Sequence, residues 1–226
     1  KNLTFEKLLF NRVMQLFISN KKIEKTIELP ASKSESNRAL LIEALAQFQG
    51  VGFQKTQLLN ISEARDTQTL QRLLSSQDKT LDVLDAGTTM RFLTAFCSVT
   101  NRETILTGTS RMKERPIHIL VEALNELGAK IEYLEQQGFP PIYIKGFQQH
   151  KKEIEVESNI SSQYISALLM VAPVLEQGLE INLKNAVASK PYIEMTLSLM
   201  GYFGIEYVWE NNKICIEPQK YNLQPY

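Results

Sequence analysis

The chain has 226 residues, of which 43% are hydrophobic and 22% are charged, as in ordinary globular proteins. Its 25 Lys and Arg balance its 25 Asp and Glu, so we expect no field that would attract nucleic acid or an anionic membrane. No window approaches the roughly 20 apolar residues of a membrane span, and no cleavage site follows the apolar start, so we expect a cytoplasmic protein without membrane partners.

The predicted elements form three successive units with one shared order of strands and helices. The first unit has a strand at residues 24–29 and helices at 34–46 and 66–74, with its closing hairpin missing or very short. The second unit has strands at 81–84, 103–106, 130–134 and 142–145, with helices from 88 through 97 and from 115 to 128. The third unit has strands at 154–156, 179–183, 205–209 and 213–216, with helices at 164–175 and 189–202. The turn Asn211-Asn212 favours a hairpin between the last two strands.

The unit length favours one compact, pseudo-symmetric α/β domain. A period of about 55–75 residues exceeds those of the common stacked-repeat folds. The helices at residues 39–45 and 165–175 are apolar over much of their circumference. We therefore predict buried central helices wrapped by outer sheets.

The two cysteines, Cys97 and Cys215, lie far apart in apolar settings. We expect two reduced, buried thiols, and a disulfide remains an alternative. Together with the two histidines they make no metal-ligand spacing, so we predict no metal site.

Hydroxyls, glycine or cations stand at almost every predicted helix start. They are Ser32, Lys33, Ser34 and Arg38 in the first unit, Asp85, Gly87, Thr88, Arg91, Arg111, Lys113 and Arg115 in the second, and Ser161, Ser162, Gln163, Ser189, Lys190 and Tyr192 in the third. Free backbone N–H groups and the positive end of the helix dipole make such ends anion sites. Arginine adds a planar fork for phosphate or carboxylate, and lysine adds a point charge.

Each of these residues also has a simpler explanation. Ser34, Thr88, Ser161 and Ser189 can be N-caps, and the cations can form solvated surface edges. The recurrence of the pattern in all three units favours function. The residues alone predict a protein that binds a small phosphorylated anion.

Five segments at these helix starts resemble the 5-enolpyruvylshikimate-3-phosphate synthase family. They are LPASKSESNRAL at 29–40, DAGTTMR at 85–91, RMKERPI at 111–117, SSQY at 161–164 and SKPY at 189–192. Their order along the chain makes the resemblance specific, although each segment alone is weak.

The resemblance implies an inside-out α/β barrel domain of three βαβαββ-type repeats, with central helices and outer sheets. It places this N-terminal domain at residues 20–220 and assigns residues 1–19 to the family's other domain. The C-terminal domain is then absent from this chain. We expect a half-enzyme that binds substrate and is inactive alone, and a monomer when the protein is full length.

The resemblance also implies transfer of the enolpyruvyl group of phosphoenolpyruvate to the 5-hydroxyl of shikimate 3-phosphate, without metal or other cofactor. The implied shikimate 3-phosphate ligands are Lys33, Ser34, Arg38, Ser161, Ser162, Gln163, Ser189 and Tyr192. The implied phosphoenolpyruvate ligands are Lys33, Gly87 and Arg115, and Lys33 would also be catalytic. The residues implied to support the loops are Asp85, Thr88 and Arg91. The remaining acid and base would come from the absent domain.

The sequence departs from the family's pattern at Asp85, where Asn is common, and at Phe92, where Pro is usual. These residues flank the position where the inhibitor glyphosate competes with phosphoenolpyruvate. Two alternatives remain: the related enolpyruvyl transferase that acts on UDP-N-acetylglucosamine, and a non-catalytic module that binds a phosphorylated metabolite.

Overall fold

The structure, a computed structural model, describes residues 26–27, 29–51, 58–157, 161–185 and 189–226. The helices in these ranges are α1 (Lys33–Phe48), α2 (Arg65–Ser75), α3 (Gly87–Val99), α4 (Ser110–Lys113), α5 (His118–Leu127), α6 (Ser162–Val171) and α7 (Lys190–Tyr202). The strands are β1 (Thr80–Asp82), β2 (Thr104–Thr107), β3 (Ala129–Tyr133), β4 (Ile142–Phe147), β5 (Glu153–Glu157), β6 (Leu179–Lys184), β7 (Val208–Glu210) and β8 (Lys213–Ile216). The N-terminal segment 1–19 and most of the predicted strand 24–29 lie outside the described residues.

The strands form two four-stranded sheets with the same topology, in the orders β1-β2-β4-β3 and β5-β6-β8-β7. In each sheet the first two strands are parallel. The last strand, β4 or β8, pairs antiparallel with the second strand, and β3 or β7 pairs antiparallel with that last strand. This repetition confirms the predicted order of elements in the second and third units. Only residues 76–79 separate α2 from β1, so the first unit lacks a closing hairpin, as predicted.

Helices α1, α3 and α6 contact one another at the centre of the domain. Almost every side chain of α3 and α6 is buried, which explains why these segments are apolar around their circumference. The sheets lie outside: on β5, Ile154 and Val156 are buried while Glu153 and Glu155 are exposed. The predicted arrangement of central helices and outer sheets is therefore confirmed.

The helix predicted from residue 115 begins later, at His118. Residues Ser110–Lys113 form the short helix α4, and the Arg115 N–H donates to Met112 O at 3.0 Å, which closes that helix. Ile117 then has φ −135° and ψ −1°, which is neither helical nor extended, before α5 begins. Arg115 and the proline after it therefore belong to a turn between two helices.

Two further predicted boundaries were wrong. The α-helix predicted to residue 175 ends at Val171, and Ala172–Val174 form a 3-10 turn because Pro173 has no N–H to continue the helical bonds. The strand predicted from residue 205 begins at Val208. The Ile205 N–H instead donates to Met200 O at 3.0 Å and completes the end of α7.

Both cysteines are free, and Cys97 is buried inside α3, where burial raises the pKa of its thiol to about 12. Cys215 is only half-buried, contrary to the prediction. On β8 the neighbouring residues Ile214 and Ile216 point into the core, so the alternation of the strand turns Cys215 outward. Among the described residues, no helix is long and apolar enough to cross a membrane.

Candidate active site

The N-terminal ends of four helices meet at one end of the domain. Lys33 at the start of α1 pairs with Asp66 at the start of α2, with 3.2 Å between Nζ and Oδ2. The Thr89 hydroxyl in α3 donates to Asp66 O at 3.0 Å, and Gln163 Nε2 in α6 donates to Thr88 Oγ1 at 3.2 Å. Because the first N–H groups of each helix lack intrahelical partners, this end presents a concentration of positive dipole ends.

The structure separates the hydroxyls that cap helices from those that do not. Ser32 caps α1 by accepting from Glu35 N, and Ser161 caps α6 by accepting from Gln163 N, both at 3.3 Å. The N-cap alternative is wrong for Ser34 and Thr88, which lie inside their helices, one residue after the first.

For Ser189 the N-cap alternative holds for its position but not for its side chain. This residue stands at the N-cap position of α7, but its side chain makes no capping hydrogen bond. Its φ of 58° is uncommon for a residue other than glycine. Strained backbone of this kind often marks a functional site.

Arg38 is buried beneath this end of the domain and joins α1 to α6 and α7. Its Nε donates to Thr196 Oγ1 at 2.6 Å, and its Nη2 donates to Ser166 Oγ at 2.9 Å and to Tyr192 O at 3.5 Å. Its Nη1 donates to Ser34 O at 2.9 Å. Among the described residues, these bonds use four of the five guanidinium hydrogens, and the second hydrogen of Nη1 has no acceptor there.

The acceptors around Arg38 are hydroxyls and carbonyls rather than carboxylates. Among the described residues, no carboxylate lies within ion-pair distance of its guanidinium. Burial lowers the pKa of Arg38 to about 10, opposed by smaller effects of Tyr192 and Glu35. Arg38 therefore stays charged at neutral pH and offers a buried positive charge to an anion.

Arg91 and Tyr164 hold the loop that carries Arg115. Arg91 donates from Nη1 to Gly87 O at 3.0 Å and from Nη2 to Pro116 O at 2.8 Å. The Tyr164 hydroxyl donates to the same Pro116 O at 2.8 Å. Burial lowers the pKa of Arg91, and Tyr164 opposes that shift. The position next to Arg115 is thus fixed by two donors from separate helices.

The Arg115 side chain lies directly against the first residue of α3. A Cβ added to Gly87 would stand 2.2 Å from Arg115 Nη1, so this close approach requires glycine. Arg115 Nη1 also lies 3.4 Å from Asp85 O. The Asp85 carboxylate pairs with a different cation, Arg65, at 3.8 Å from its Nη1.

The predicted residues differ in exposure. The side chain of Lys33 is 48% exposed despite its ion pair, and Tyr192 is 45% exposed. Ser34, Ser161 and Gln163 are half-buried, while Ser162 and Arg38 are buried. Apart from Ser162, the hydrogen bonds and the ion pair described above connect these residues around one end of the domain.

Sequence reasoning missed four residues that contact the predicted site. They are Arg65, Asp66, Ser166 and Thr196. Their partners lie from about 20 to 158 positions away in the chain, so no local pattern marks them.

A family model described as EPSP synthase (3-phosphoshikimate 1-carboxyvinyltransferase) matches residues 48–225. The chain belongs to the EPSP synthase family. A 3-phosphoshikimate 1-carboxyvinyltransferase of Bacteroides fragilis strain YCH46 is 48% identical over 206 residues, which cover 91% of this chain and 49% of that protein. One of Actinobacillus pleuropneumoniae serotype 3 is 38% identical over 238 residues, which cover 90% and 54%.

The solved structure of EPSP synthase from Acinetobacter baumannii superposes with a TM-score of 0.74 at 19% sequence identity, over 88% of this chain and 48% of that one. This likeness confirms the predicted inside-out α/β fold. The chain spans about half the length of the curated relatives it matches.

Proposed function

We propose that the chain forms one wall of the active site of a 3-phosphoshikimate 1-carboxyvinyltransferase. The reaction would transfer the enolpyruvyl group of phosphoenolpyruvate to the 5-hydroxyl of shikimate 3-phosphate and release phosphate. The observation that carries the proposal is the buried, charged Arg38 with neutral acceptors, beneath an end where helix N-termini meet. The names of the relatives favour shikimate 3-phosphate over UDP-N-acetylglucosamine as the acceptor.

Shikimate 3-phosphate would lie over the ends of α1, α6 and α7. The assigned ligands there are Lys33, Ser34, Arg38, Ser161, Ser162, Gln163, Ser189 and Tyr192. They combine hydroxyl donors with two cations, which suits a ligand that carries both a phosphate and a carboxylate. The unused Nη1 hydrogen of Arg38 and the hydroxyl of Ser34, which does not cap its helix, support this placement.

Phosphoenolpyruvate would lie beside it, between Lys33, Gly87 and Arg115. The guanidinium of Arg115 offers a planar fork to a carboxylate or phosphate. Its place against Gly87, and the hydrogen bonds that hold Pro116, support a preorganised cation there. Lys33 reaches toward α2 from the start of α1 and would stand between the two substrates.

The chemistry proposed is addition followed by elimination. The 5-hydroxyl attacks C2 of phosphoenolpyruvate while C3 gains a proton, and phosphate then leaves. Cations stabilise the charge that develops on the phosphate, but the reaction also needs a base near the hydroxyl and an acid near C3. Two described carboxylates at this end of the domain, Asp66 and Asp85, are in ion pairs with Lys33 and Arg65.

We therefore assign the remaining acid and base to a second domain that closes over this wall. On this proposal the 226-residue chain binds shikimate 3-phosphate but does not turn over. The cytoplasmic location and the monomeric state of the full-length protein stay predictions.

The test is titration of the 226-residue chain with shikimate 3-phosphate by calorimetry. The single tryptophan, Trp209, gives a second signal, because Lys190 Nζ at the start of α7 lies 5.2 Å from its ring centroid. We expect binding between micromolar and low millimolar, lost in the Arg38→Ala, Ser162→Ala double variant. Arg72→Ala is the control, since that side chain donates to Asp82 O, away from the proposed ligands.

Two results would count against the proposal. A folded chain that does not bind shikimate 3-phosphate at millimolar concentration would refute the assignment of this wall. Release of phosphate from phosphoenolpyruvate at a normal enzymatic rate by this polypeptide alone would refute the claim that a second domain is required.

A further inference from the structure

Two buried hydroxyls, those of Ser166 in α6 and Thr196 in α7, form a closed hydrogen-bond network with Arg38. Both residues are 0% exposed. The Thr196 hydroxyl donates its one hydrogen to Tyr192 O at 2.7 Å. The contact of 2.8 Å between Ser166 Oγ and Thr196 Oγ1 must then be donated by Ser166.

This assignment leaves both hydroxyls with only lone pairs to offer Arg38. Thr196 accepts from Nε at 2.6 Å, and Ser166 accepts from Nη2 at 2.9 Å. The edge of the guanidinium formed by Nε and Nη2 is therefore fixed by two oxygens whose own hydrogens are committed elsewhere. The carbonyl of Ser34 fixes one hydrogen of Nη1 at 2.9 Å, so the direction of the second Nη1 hydrogen is determined.

We infer that Ser166 and Thr196 are positioning residues of the shikimate 3-phosphate site: they orient the Arg38 guanidinium so that its remaining N–H meets the ligand. The inference rests on the proposed function. Neither residue touches the ligand; each acts through Arg38. Because both are inaccessible to water, no solvent molecule replaces a lost hydroxyl without rearrangement.

The residue types fit this role. Valine has nearly the shape of threonine, so Thr196→Val removes the acceptor of Nε while keeping the packing. A buried N–H without an acceptor is costly, and the guanidinium is expected to rotate toward another oxygen. The ligand then meets a misdirected donor, and the expected loss is about 10- to 100-fold in affinity.

The chain contains matched controls for both substitutions. Thr94 and Ser98 in α3 are also 0% exposed, and each donates to the carbonyl one turn earlier, Met90 O at 2.7 Å and Thr94 O at 2.8 Å. Thr94→Val therefore matches Thr196→Val in burial and in the lost backbone bond, without a contact to Arg38. Ser98→Ala matches Ser166→Ala in burial and in the loss of one donated hydroxyl hydrogen bond, although Ser98 donates to a carbonyl and Ser166 to a hydroxyl.

The experiment is calorimetric titration of the 226-residue chain and each variant with shikimate 3-phosphate, with the melting temperature measured alongside. We expect Thr196→Val and Ser166→Ala to weaken binding, Thr196→Ser to restore it to within about 3-fold, and the α3 controls to bind like the parent. The rescue by serine distinguishes orientation of Arg38 from a general loss of stability.

Three outcomes would overturn the inference. If the parent binds and both Thr196→Val and Ser166→Ala bind equally well, the network does not position Arg38 for the ligand, while the proposed function stands. If Thr94→Val weakens binding as much as Thr196→Val, the effect is one of helix stability. If the folded parent does not bind, the proposed function fails, and this assignment fails with it.

Discussion

The substitution Gly87→Ala would bring a methyl group into the space that the Arg115 guanidinium occupies. The new Cβ would stand 2.2 Å from Nη1, 2.4 Å from Nη2 and 2.5 Å from Cζ. Ordinary contact begins at 3.4 Å, so the guanidinium must move by about 1 Å. This movement is easy for the chain, because the obstructing atoms are the far end of a flexible side chain, and it displaces the proposed phosphoenolpyruvate ligand.

Stability and binding are expected to change in opposite directions. Alanine limits the unfolded chain more than glycine does, and the φ of Gly87 lies outside the left-handed region, so the free energy of unfolding should rise by about 0.4–1 kcal/mol. Loss of one charge-assisted hydrogen bond costs about 1.5–3 kcal/mol. Phosphoenolpyruvate binding should therefore weaken by about 10- to 100-fold.

The assay is the KM for phosphoenolpyruvate in the complete gene product, with the affinity for shikimate 3-phosphate and the urea midpoint measured alongside. Gly201→Ala is the matched control, because nothing lies within 4 Å of its added Cβ in α7. It should stabilise the chain similarly and leave the KM unchanged. An unaltered KM in Gly87→Ala would refute the role given to Arg115, and a loss of several kcal/mol in stability would refute the steric reasoning.

Three further predictions concern charge and burial. Asp66→Asn breaks the ion pair with Lys33. Because the side chains of Asp66 and Lys33 are 25% and 48% exposed, the free energy of unfolding measured in urea should fall by less than about 1 kcal/mol. Burial raises the pKa of Cys97 to about 12 and also raises the pKa of Cys215, but only Cys97 is fully buried. Titration with a thiol reagent at pH 8 should therefore leave Cys97 unmodified in the native chain, while the half-buried Cys215 reacts. Because the pKa of Arg38 is lowered to about 10, calorimetry should find that its contribution to shikimate 3-phosphate binding is constant from pH 7 to about pH 9 and weakens as pH rises through 10.

The results that would contradict these predictions are equally direct. A loss of more than about 2 kcal/mol in Asp66→Asn would show that the pair is a buried structural contact. Modification of both thiols before unfolding would show that α3 opens easily.

For Arg38 the sign of the linkage gives a second check. The folded-state pKa is depressed to about 10, so above about pH 10 and up to the higher pKa of the unfolded chain, the unfolded chain binds more protons. The contribution of Arg38 to stability must therefore rise with pH in that window. A fall, relative to Arg38→Met, would contradict the burial argument.

The sequence was sufficient to predict the two complete units because their strands alternate buried and exposed residues and pair with partners that follow soon after. The hairpin at Asn211-Asn212 is one case: Asn211 takes a φ of 53°, and Glu210 pairs with Lys213. The errors fall at element ends. A run of apolar residues looks the same whether it continues an α-helix or tightens into a 3-10 turn, as it does at Pro173.

The site was predictable only as a set of helix starts. Two serines flank Lys33, and the sequence does not say which of them caps the helix; the structure gives that role to Ser32. The partners of the cations are set by tertiary packing, since Lys33 meets a residue 33 positions away and Arg38 meets one 158 positions away. Propensity and periodicity describe neighbours in the chain and carry no information on such pairs.

The internal repeat explains how the site is built, and one departure from the repeat explains the direction in which the Arg38 side chain extends. One turn into α1 and α3, Arg38 and Arg91 each donate from Nη1 to the carbonyl four residues earlier, at 2.9 and 3.0 Å. One turn into α6 stands Ser166, whose Oγ lies 2.9 Å from Arg38 Nη2. An arginine there would set a second guanidinium against the first, so the small hydroxyl is what allows Arg38 to extend across α6 to α7. Arg91 instead donates to Pro116 O, so Arg38 is the proposed anion ligand in one unit while Arg91 supports a loop in the next.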